Sequence, residues 1–263
     1  MTQTHAARTF THGGRVVHTG RRLAQVVGRK PAGITAGQWN AAGTTVVDHL
    51  VTRPDGDEPE LLVLFTDATS ATGARALRMA TAVCAAAGLP LLRIDSPTLT
   101  TQTQTQIIGY VLDARAFGDG QAYRDIVGRL PDGRTGHVND LSSVARAAAV
   151  DAYAARQLHD PIIRTVRVRW AGGPAEGWAW LQLREGGYVF ERVLVDEQRT
   201  TCGVPADRLA EDLAGAAIGE RLKQRHTTEP ALVDLAHIET ALRGLAARRA
   251  DLLDGFPYDH LLE

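Results

Sequence analysis

The clearest pattern of hydrophobic and polar positions lies between residues 46 and 94. The apolar runs VVDHLVT (46–52) and ELLVLFTD (60–67) are separated by RPDGDEP, whose Pro, Asp and Gly favour turns. The segment 74–87 is rich in Ala, Leu, Arg and Met, which favour helix, and a Gly and a Pro separate it from a third run, LPLLRI (89–94). The pattern predicts the order strand, strand, helix, strand.

The second half of the chain changes to alternation. TVRVRWA, WAWLQLR and YVFERVLVDE predict a three-stranded antiparallel meander, with GGPAEG as the loop between its first two strands. Residues 141–158 and 205–225 have helical patterns, and a last helix is predicted from about residue 229 to 253. Its apolar face is expected to consist of Leu232, Leu235, Ile238, Leu242 and Leu245. The tail GFPYDHLLE is amphipathic and is expected to dock on the body of the protein or on a partner.

These elements indicate an α/β (α+β) fold with a mixed sheet. We divide the chain into residues 1–45, a basic N-terminal arm and helix; 46–117, the α/β core; 118–139, a linker rich in Gly and Asp; and 140–263, a helix, the β-meander and the C-terminal helices. Within the arm, residues 15–27 fit either a short helix or a strand followed by a helix.

Composition excludes several classes of protein. A chain of 263 residues with 44% hydrophobic and 22% charged residues can bury a globular core. No apolar run approaches the roughly 18 residues of a membrane span, and the N-terminus lacks the apolar core of a signal peptide. The two cysteines, Cys84 and Cys202, cannot build a disulfide framework or a thiolate metal site. We therefore expect a cytoplasmic protein without membrane association.

Charge is distributed unevenly along the chain. The first 47 residues carry +6 and the remainder −7, although the net charge is only −1. A basic arm can lie along a phosphate backbone, which makes DNA or RNA a candidate partner. The alternative is that these side chains bind acidic surface of the same chain. The candidate nucleic-acid-binding residues are Arg15, Arg21, Arg22, Arg29 and Lys30.

Two carboxylates occupy strand positions. Asp48 lies within the first apolar run and Asp67 ends the second, and the turn between the runs makes the strands antiparallel neighbours. Such a pair can begin a Mg²⁺ site for phosphodiester cleavage. The alternative is that Asp67 caps the loop before the helix and Asp48 is exposed at an edge. A further alternative is a Rossmann-like small-molecule binder with its ligand at the loop 69–73, where a helix N-terminus can hold an anion.

Residues 46 to 94 resemble a small bacterial domain family of unknown function within the PD-(D/E)XK, or restriction-endonuclease-like, superfamily. VVDHLVT, VLFTDATS and AAAGLPLLRI match the family's pattern in order and spacing, and the last of these is the closest match. The resemblance covers roughly a fifth of the chain. It implies a nuclease-like core in which Asp48 corresponds to the first metal-binding aspartate and Asp67 to an acidic residue two positions after the family's glutamate.

The resemblance also implies that catalytic groups are missing. The family's glutamate falls on Phe65, which cannot ligate a cation. The helix that usually presents acidic and lysine side chains to the site offers only Arg75 and Arg78. We therefore predict a catalytically degenerate nuclease-like domain that acts as a binding or assembly module, without a cofactor.

Two further expectations concern activity and partners. The alternative to the degenerate domain is an active Mg-dependent nuclease that uses Asp48, Asp67 and a relocated ligand such as Glu60. Candidate partners are nucleic acid through the basic arm and a protein through the C-terminal helices.

Overall fold

The computed structural model describes residues 8–66, 71–99, 101–118, 127–129, 135–137, 141–224 and 231–262. The chain has a mixed α/β fold and divides into two compact units. The first consists of Met1–Pro97, Val111–Asp119 and Asp196–Gly203, and the second of Thr98–Tyr110, Gly120–Val195 and Val204–Glu263. Among the helices in the described ranges, none is long and apolar enough to cross a membrane.

The first unit is a sheet of mixed direction with helices packed on it. Its elements are β1 (Thr9–His12), β2 (Arg15–Arg22), α1 (Leu23–Val27), α2 (Ala36–Gly43), β3 (Val46–Thr52), β4 (Pro59–Thr66), α3 (Ala71–Ala87), β5 (Leu91–Asp95) and the C-terminal part of α4 (Thr101–Gly118). The strand order is β1-β2-β3-β4-β5, with β1 to β4 antiparallel and β5 parallel to β4. The predicted order strand, strand, helix, strand is therefore present as β3, β4, α3 and β5.

The N-terminal segment is built into this sheet, which corrects the prediction of an arm over residues 1–45 for its described part. β2 pairs antiparallel with β3 from Val16↔Thr52 to Arg22↔Val46. Val17 in β2 is fully buried, and removing its apolar surface from water favours the paired strand over a free arm. Residues 15–27 adopt the second of the two predicted alternatives, a strand followed by a helix.

The core of the first unit forms where α1, α2 and α3 pack on the strands. Its buried residues are Leu23, Ile34, Ala42, Val47, Leu50, Leu62, Leu64, Ala80, Val83, Cys84 and Leu91. Helix α3 is the crossover from β4 to β5, because parallel neighbours cannot be joined by a tight turn. Burial raises the pKa of the Cys84 thiol to about 12, so this cysteine is a packing residue rather than a nucleophile.

The second unit contains the predicted meander. Its elements are the hairpin β6 (Val127–Arg129) and β7 (Thr135–His137), α5 (Ser143–Ala154), β8 (Arg164–Arg169), β9 (Ala175–Gln182), β10 (Tyr188–Gln198), α6 (Ala206–Gln224) and α7 (Leu235–Ala247). β9 pairs antiparallel with both β8 and β10. The hairpin β6–β7 lies within residues 118–139, so the described part of the predicted linker includes regular structure.

The C-terminal helix and tail pack on the chain itself. Ile238, Leu242 and Leu245 of α7 join a core with meander side chains that include Trp178 and Trp180. The segment 251–253, which precedes the tail, covers the edge of β8, because Ala171 N donates to Asp251 O at 2.8 Å and Leu253 N donates to Arg169 O at 2.9 Å. In the tail itself, the hydroxyl of Tyr258 accepts the backbone N–H of Arg167 at 3.0 Å. Such cover protects an edge strand from pairing with another chain.

The prediction that Leu232 and Leu235 belong to the apolar face of the last helix is wrong. Leu232 and Leu235 are 42% and 48% exposed. The helix begins only at Leu235, because the carboxylate of Asp234 accepts the N–H of His237 at 2.8 Å and caps it there. The apolar face of α7 is thus shorter than predicted, and its buried part belongs to the intramolecular core.

A single glycine sets how closely β9 approaches α6. A Cβ atom at Gly177 would lie 2.2 Å from the backbone carbon of Ala210 in α6. We expect Gly177→Ala to lower the free energy of unfolding by more than about 3 kcal/mol, because backbone atoms cannot move aside as a side chain can. Urea denaturation measures the change.

Gly244 in α7 provides the matched control, because nothing lies within 4 Å of the position that a Cβ atom would take there. Gly244→Ala is expected to stabilise the protein by about 1 kcal/mol through helix propensity. Equal effects of the two substitutions would contradict the close approach of β9 to α6.

Candidate functional sites

Asp48, the candidate metal ligand of the active-nuclease alternative, joins two strands. β3 and β4 pair as far as His49↔Val63 and no further in this direction. Two residues later on β4, the backbone N–H of Phe65 donates to Asp48 Oδ2 at 2.7 Å. The carboxylate therefore takes the place that a backbone carbonyl would have if the ladder continued. A charged acceptor makes this hydrogen bond stronger than an ordinary strand bond.

Phe65 occupies the position where the resembling family has a metal ligand. Its ring is half-buried and lies edge-on to the ring of His49, with 6.0 Å between the centroids. The second predicted ligand, Asp67, lies outside the described residues, as do Thr69 and Ser70 of the anion-binding loop predicted at 69–73. At the described ends of β3 and β4, an aromatic ring and a hydrogen-bonded carboxylate stand where a Mg²⁺ site was predicted.

Glu60, the candidate relocated ligand, forms ion pairs with two arginines. Its Oε2 atom accepts from Arg15 at 2.9 Å and its Oε1 atom from Arg53 at 3.0 Å. Burial raises the pKa of Glu60, but the two arginines lower it by more than burial raises it. The pKa of Glu60 therefore lies below its ordinary value. No group of three or more His, Cys, Asp or Glu side chains that could hold a metal ion occurs in the described part of the chain.

His49 is buried without a hydrogen-bond partner. Its side chain is only 3% exposed, and neither ring nitrogen forms a hydrogen bond to another described residue. Desolvation by burial lowers its pKa from 6.5 to about 4. The imidazole is therefore neutral at pH 7 and packs as an apolar ring against Phe65.

We expect His49 to make stability depend on pH. The unfolded state binds the proton near pH 6.5 and the folded state only near pH 4, so the stability present above pH 6.5 is lost progressively as the pH falls to about 4. The loss amounts to about 3 kcal/mol. His49→Leu should remove this part of the dependence, measured by urea denaturation between pH 4 and 7. The exposed His260→Leu is the control, and a wild-type slope in His49→Leu would contradict the assignment.

The five candidate nucleic-acid-binding residues divide into two groups. Arg15 is paired with Glu60, as the alternative of binding acidic surface of the same chain predicts, and Lys30 Nζ donates to the backbone carbonyl of Ile34 at 2.8 Å. The other three are exposed and form no ion pair with another described residue: Arg21, Arg22 and Arg29. Arg21 also lines a cleft of about 270 Å³ with His18, Thr52 and Asp57.

A larger cleft, of about 510 Å³, lies in the second unit. We call it the Trp170 cleft; it is lined by Trp170, Gly172, Pro174, Glu176, Arg192 and Arg248, among others. This volume is in the range of small-molecule sites. The sequence did not predict this cleft, because GGPAEG was expected to be a loop throughout, whereas β9 begins within it at Ala175.

A buried carboxylate organises the Trp170 cleft. Glu176 is 1% exposed and accepts from the indole N–H groups of Trp170 at 2.8 Å and Trp178 at 2.6 Å. It also forms an ion pair with Arg192 Nε. Burial raises the pKa of Glu176, but Arg192 and the two indoles outweigh burial and hold the pKa below its ordinary value. The carboxylate is thus charged and accepts hydrogen bonds from three donors.

The comparisons with known proteins leave these sites without an assigned role. No family model, no curated protein and no solved structure matches the chain. The resemblance of residues 46 to 94 to the PD-(D/E)XK superfamily therefore stays a prediction.

Proposed function

We propose that this cytoplasmic chain is a binding module whose first unit is a catalytically degenerate, restriction-endonuclease-like domain. The single observation that carries the proposal is the 2.7 Å hydrogen bond from Phe65 N–H to Asp48 Oδ2. The antiparallel pair β3–β4, the crossover α3 and the parallel strand β5 follow the order of elements that the resemblance implies, which supports a shared scaffold.

The energetics support a structural role for Asp48. If a metal ion withdrew this carboxylate, the N–H of Phe65 would lose its acceptor in a half-buried position, at a cost of about 1–3 kcal/mol. The neighbouring aromatic ring offers no ligand in return. An active Mg-dependent nuclease using Asp48 and Asp67 is the alternative, and cleavage separates the two.

We expect no cleavage of single- or double-stranded DNA in the presence of Mg²⁺ or Mn²⁺. Asp48→Ala should instead lower the free energy of unfolding by about 1–3 kcal/mol, because Phe65 N–H loses its acceptor. Asp48→Asn, which keeps an acceptor oxygen, should lose less. Asp55→Ala removes an exposed carboxylate from the turn between the same strands and is the control. Cleavage that Asp48→Ala abolishes in a folded protein would establish the nuclease and overturn the proposal.

Nucleic acid is the partner that we propose for the first unit. The exposed guanidinium groups of Arg21, Arg22 and Arg29 belong to β2 and to the loop that follows α1, and each can contact a phosphate without first breaking an ion pair to another described residue. The buried face of α7 is already packed on the meander, which makes the C-terminal helices the weaker candidate surface for a protein partner.

Substituting Arg21, Arg22 and Arg29 together by Gln should weaken binding to DNA and RNA. The slope of log K against log salt should fall by about 0.7–0.9 for every phosphate that the variant no longer neutralises, and titrations at several salt concentrations measure this slope. The control replaces three exposed arginines of the second unit, Arg156, Arg169 and Arg184. Equal slopes for both triple variants would contradict the assigned surface, and no binding at low salt would exclude nucleic acid as the partner.

A further inference from the structure

The Trp170 cleft presents two guanidinium groups that the proposed function does not use. Arg192 donates its Nε–H to the buried Glu176 and is itself 55% exposed. Its terminal nitrogens form no hydrogen bond with another described residue. The indole N–H groups of Trp170 and Trp178 donate to Glu176 Oε2 and Oε1, so the carboxylate is held in place and anchors Arg192 at Nε while the terminal nitrogens stay accessible.

Arg248 is held in a similar way by different contacts. Its guanidinium carbon lies 4.1 Å from the centroid of the Trp170 ring, and its Nε atom lies 3.2 Å from Asp251 Oδ2. Stacking and the ion pair together fix the plane of the group. Arg248 is 61% exposed, and its terminal nitrogens have no partner among the described residues.

Each acidic group of the cleft binds one of these arginines at its Nε atom only. Glu176 accepts from three donors, one of which is Arg192, and Asp251 is bound to the Nε atom of Arg248. What the cleft offers to a ligand is therefore donors on terminal guanidinium nitrogens. Paired guanidinium N–H groups match the oxygens of a carboxylate or a phosphate, which they bind with two parallel hydrogen bonds.

Two glycines in the lining of the cleft, Gly172 and Gly173, allow a ligand to approach the backbone closely. Gly172 has φ = 74°, and a Cβ atom at Gly173 would lie 3.0 Å from Trp170 Cβ. The turn from Trp170 to Pro174 therefore requires glycine and leaves the backbone uncovered. The cleft is open to solvent and has a volume of about 510 Å³, which is large enough for a small anion.

We propose that the Trp170 cleft binds a small oxyanionic molecule, carrying a carboxylate or phosphate group, through the terminal nitrogens of Arg192 and Arg248. The site is separate from the proposed nucleic-acid surface on the first unit, so either proposal can fail alone.

The test is an NMR titration of the full chain with inorganic phosphate and, separately, with citrate, at constant ionic strength. The chain has four tryptophans, and Trp170→Phe assigns the resonance of the Trp170 indole N–H. We expect saturable shifts of the Trp170 and Trp178 indole signals, because both indole N–H groups donate to Glu176, which also binds Arg192. The signals of Trp39 and Trp180 should change little. A response to phosphate alone assigns a phosphate ligand, and a response to citrate alone a carboxylate ligand.

The variants make the test specific to the two arginines. Arg248→Gln keeps all three donors of Glu176, although it removes the stacking on Trp170, and it should weaken binding on the order of tenfold, because one guanidinium group no longer contacts the anion. Arg192→Gln should weaken it as much, and Arg192→Lys tests whether charge alone suffices. Arg243→Gln removes an exposed arginine of α7 that does not line the cleft, and it should bind as the wild type does. No saturable shift with either anion, or unchanged affinity in Arg248→Gln, would overturn the proposal.

Discussion

A carboxylate that leaves bulk water must find hydrogen-bond donors nearby, and the strands of this protein depend on that constraint at several points. Asp48 takes the N–H of Phe65, and Glu176 takes two indoles and Arg192. Glu191, 2% exposed, takes the hydroxyl of Thr98 at 2.8 Å and Arg221 at 2.6 Å. In each case the donors come from the chain itself. These three acidic side chains are thus held by contacts within the chain, although acidic residues in strands are also what a catalytic site requires.

The same constraint has different consequences in the two units. At Asp48 the donor is a backbone N–H, so the carboxylate joins two strands. At Glu176 one donor is a long side chain, and the carboxylate holds the Nε atom of Arg192 while the side chain stays 55% exposed. The first contact supports the structural role that we propose for Asp48, and the second supports the anion site that we propose at the Trp170 cleft.

The sequence predicted elements whose signal is local. The run VVDHLVT coincides with β3, and the alternation of the meander predicted β8 and β10, which are buried at alternate residues because one face of each is covered. The middle strand, β9, is buried on both faces. Residues 15–22 fitted either a helix or a strand by their pattern, and pairing with the distant β3 makes them a strand. Glu176 looks like a loop residue, and its three donors, 2 to 16 positions away along the chain, become visible only in the fold. Its position two residues before Trp178, on the same face of a strand, was the one available signal.

The claim that Asp48 is a structural acceptor and not a metal ligand can be tested directly at its partner. Titration of the protein with Mg²⁺, followed at the backbone amide resonance of Phe65, reports whether the 2.7 Å hydrogen bond to Asp48 persists. The amide should keep its chemical shift and its protection from hydrogen exchange at every Mg²⁺ concentration. A saturable shift with loss of protection would show that Mg²⁺ withdraws Asp48 from Phe65, and would contradict the account.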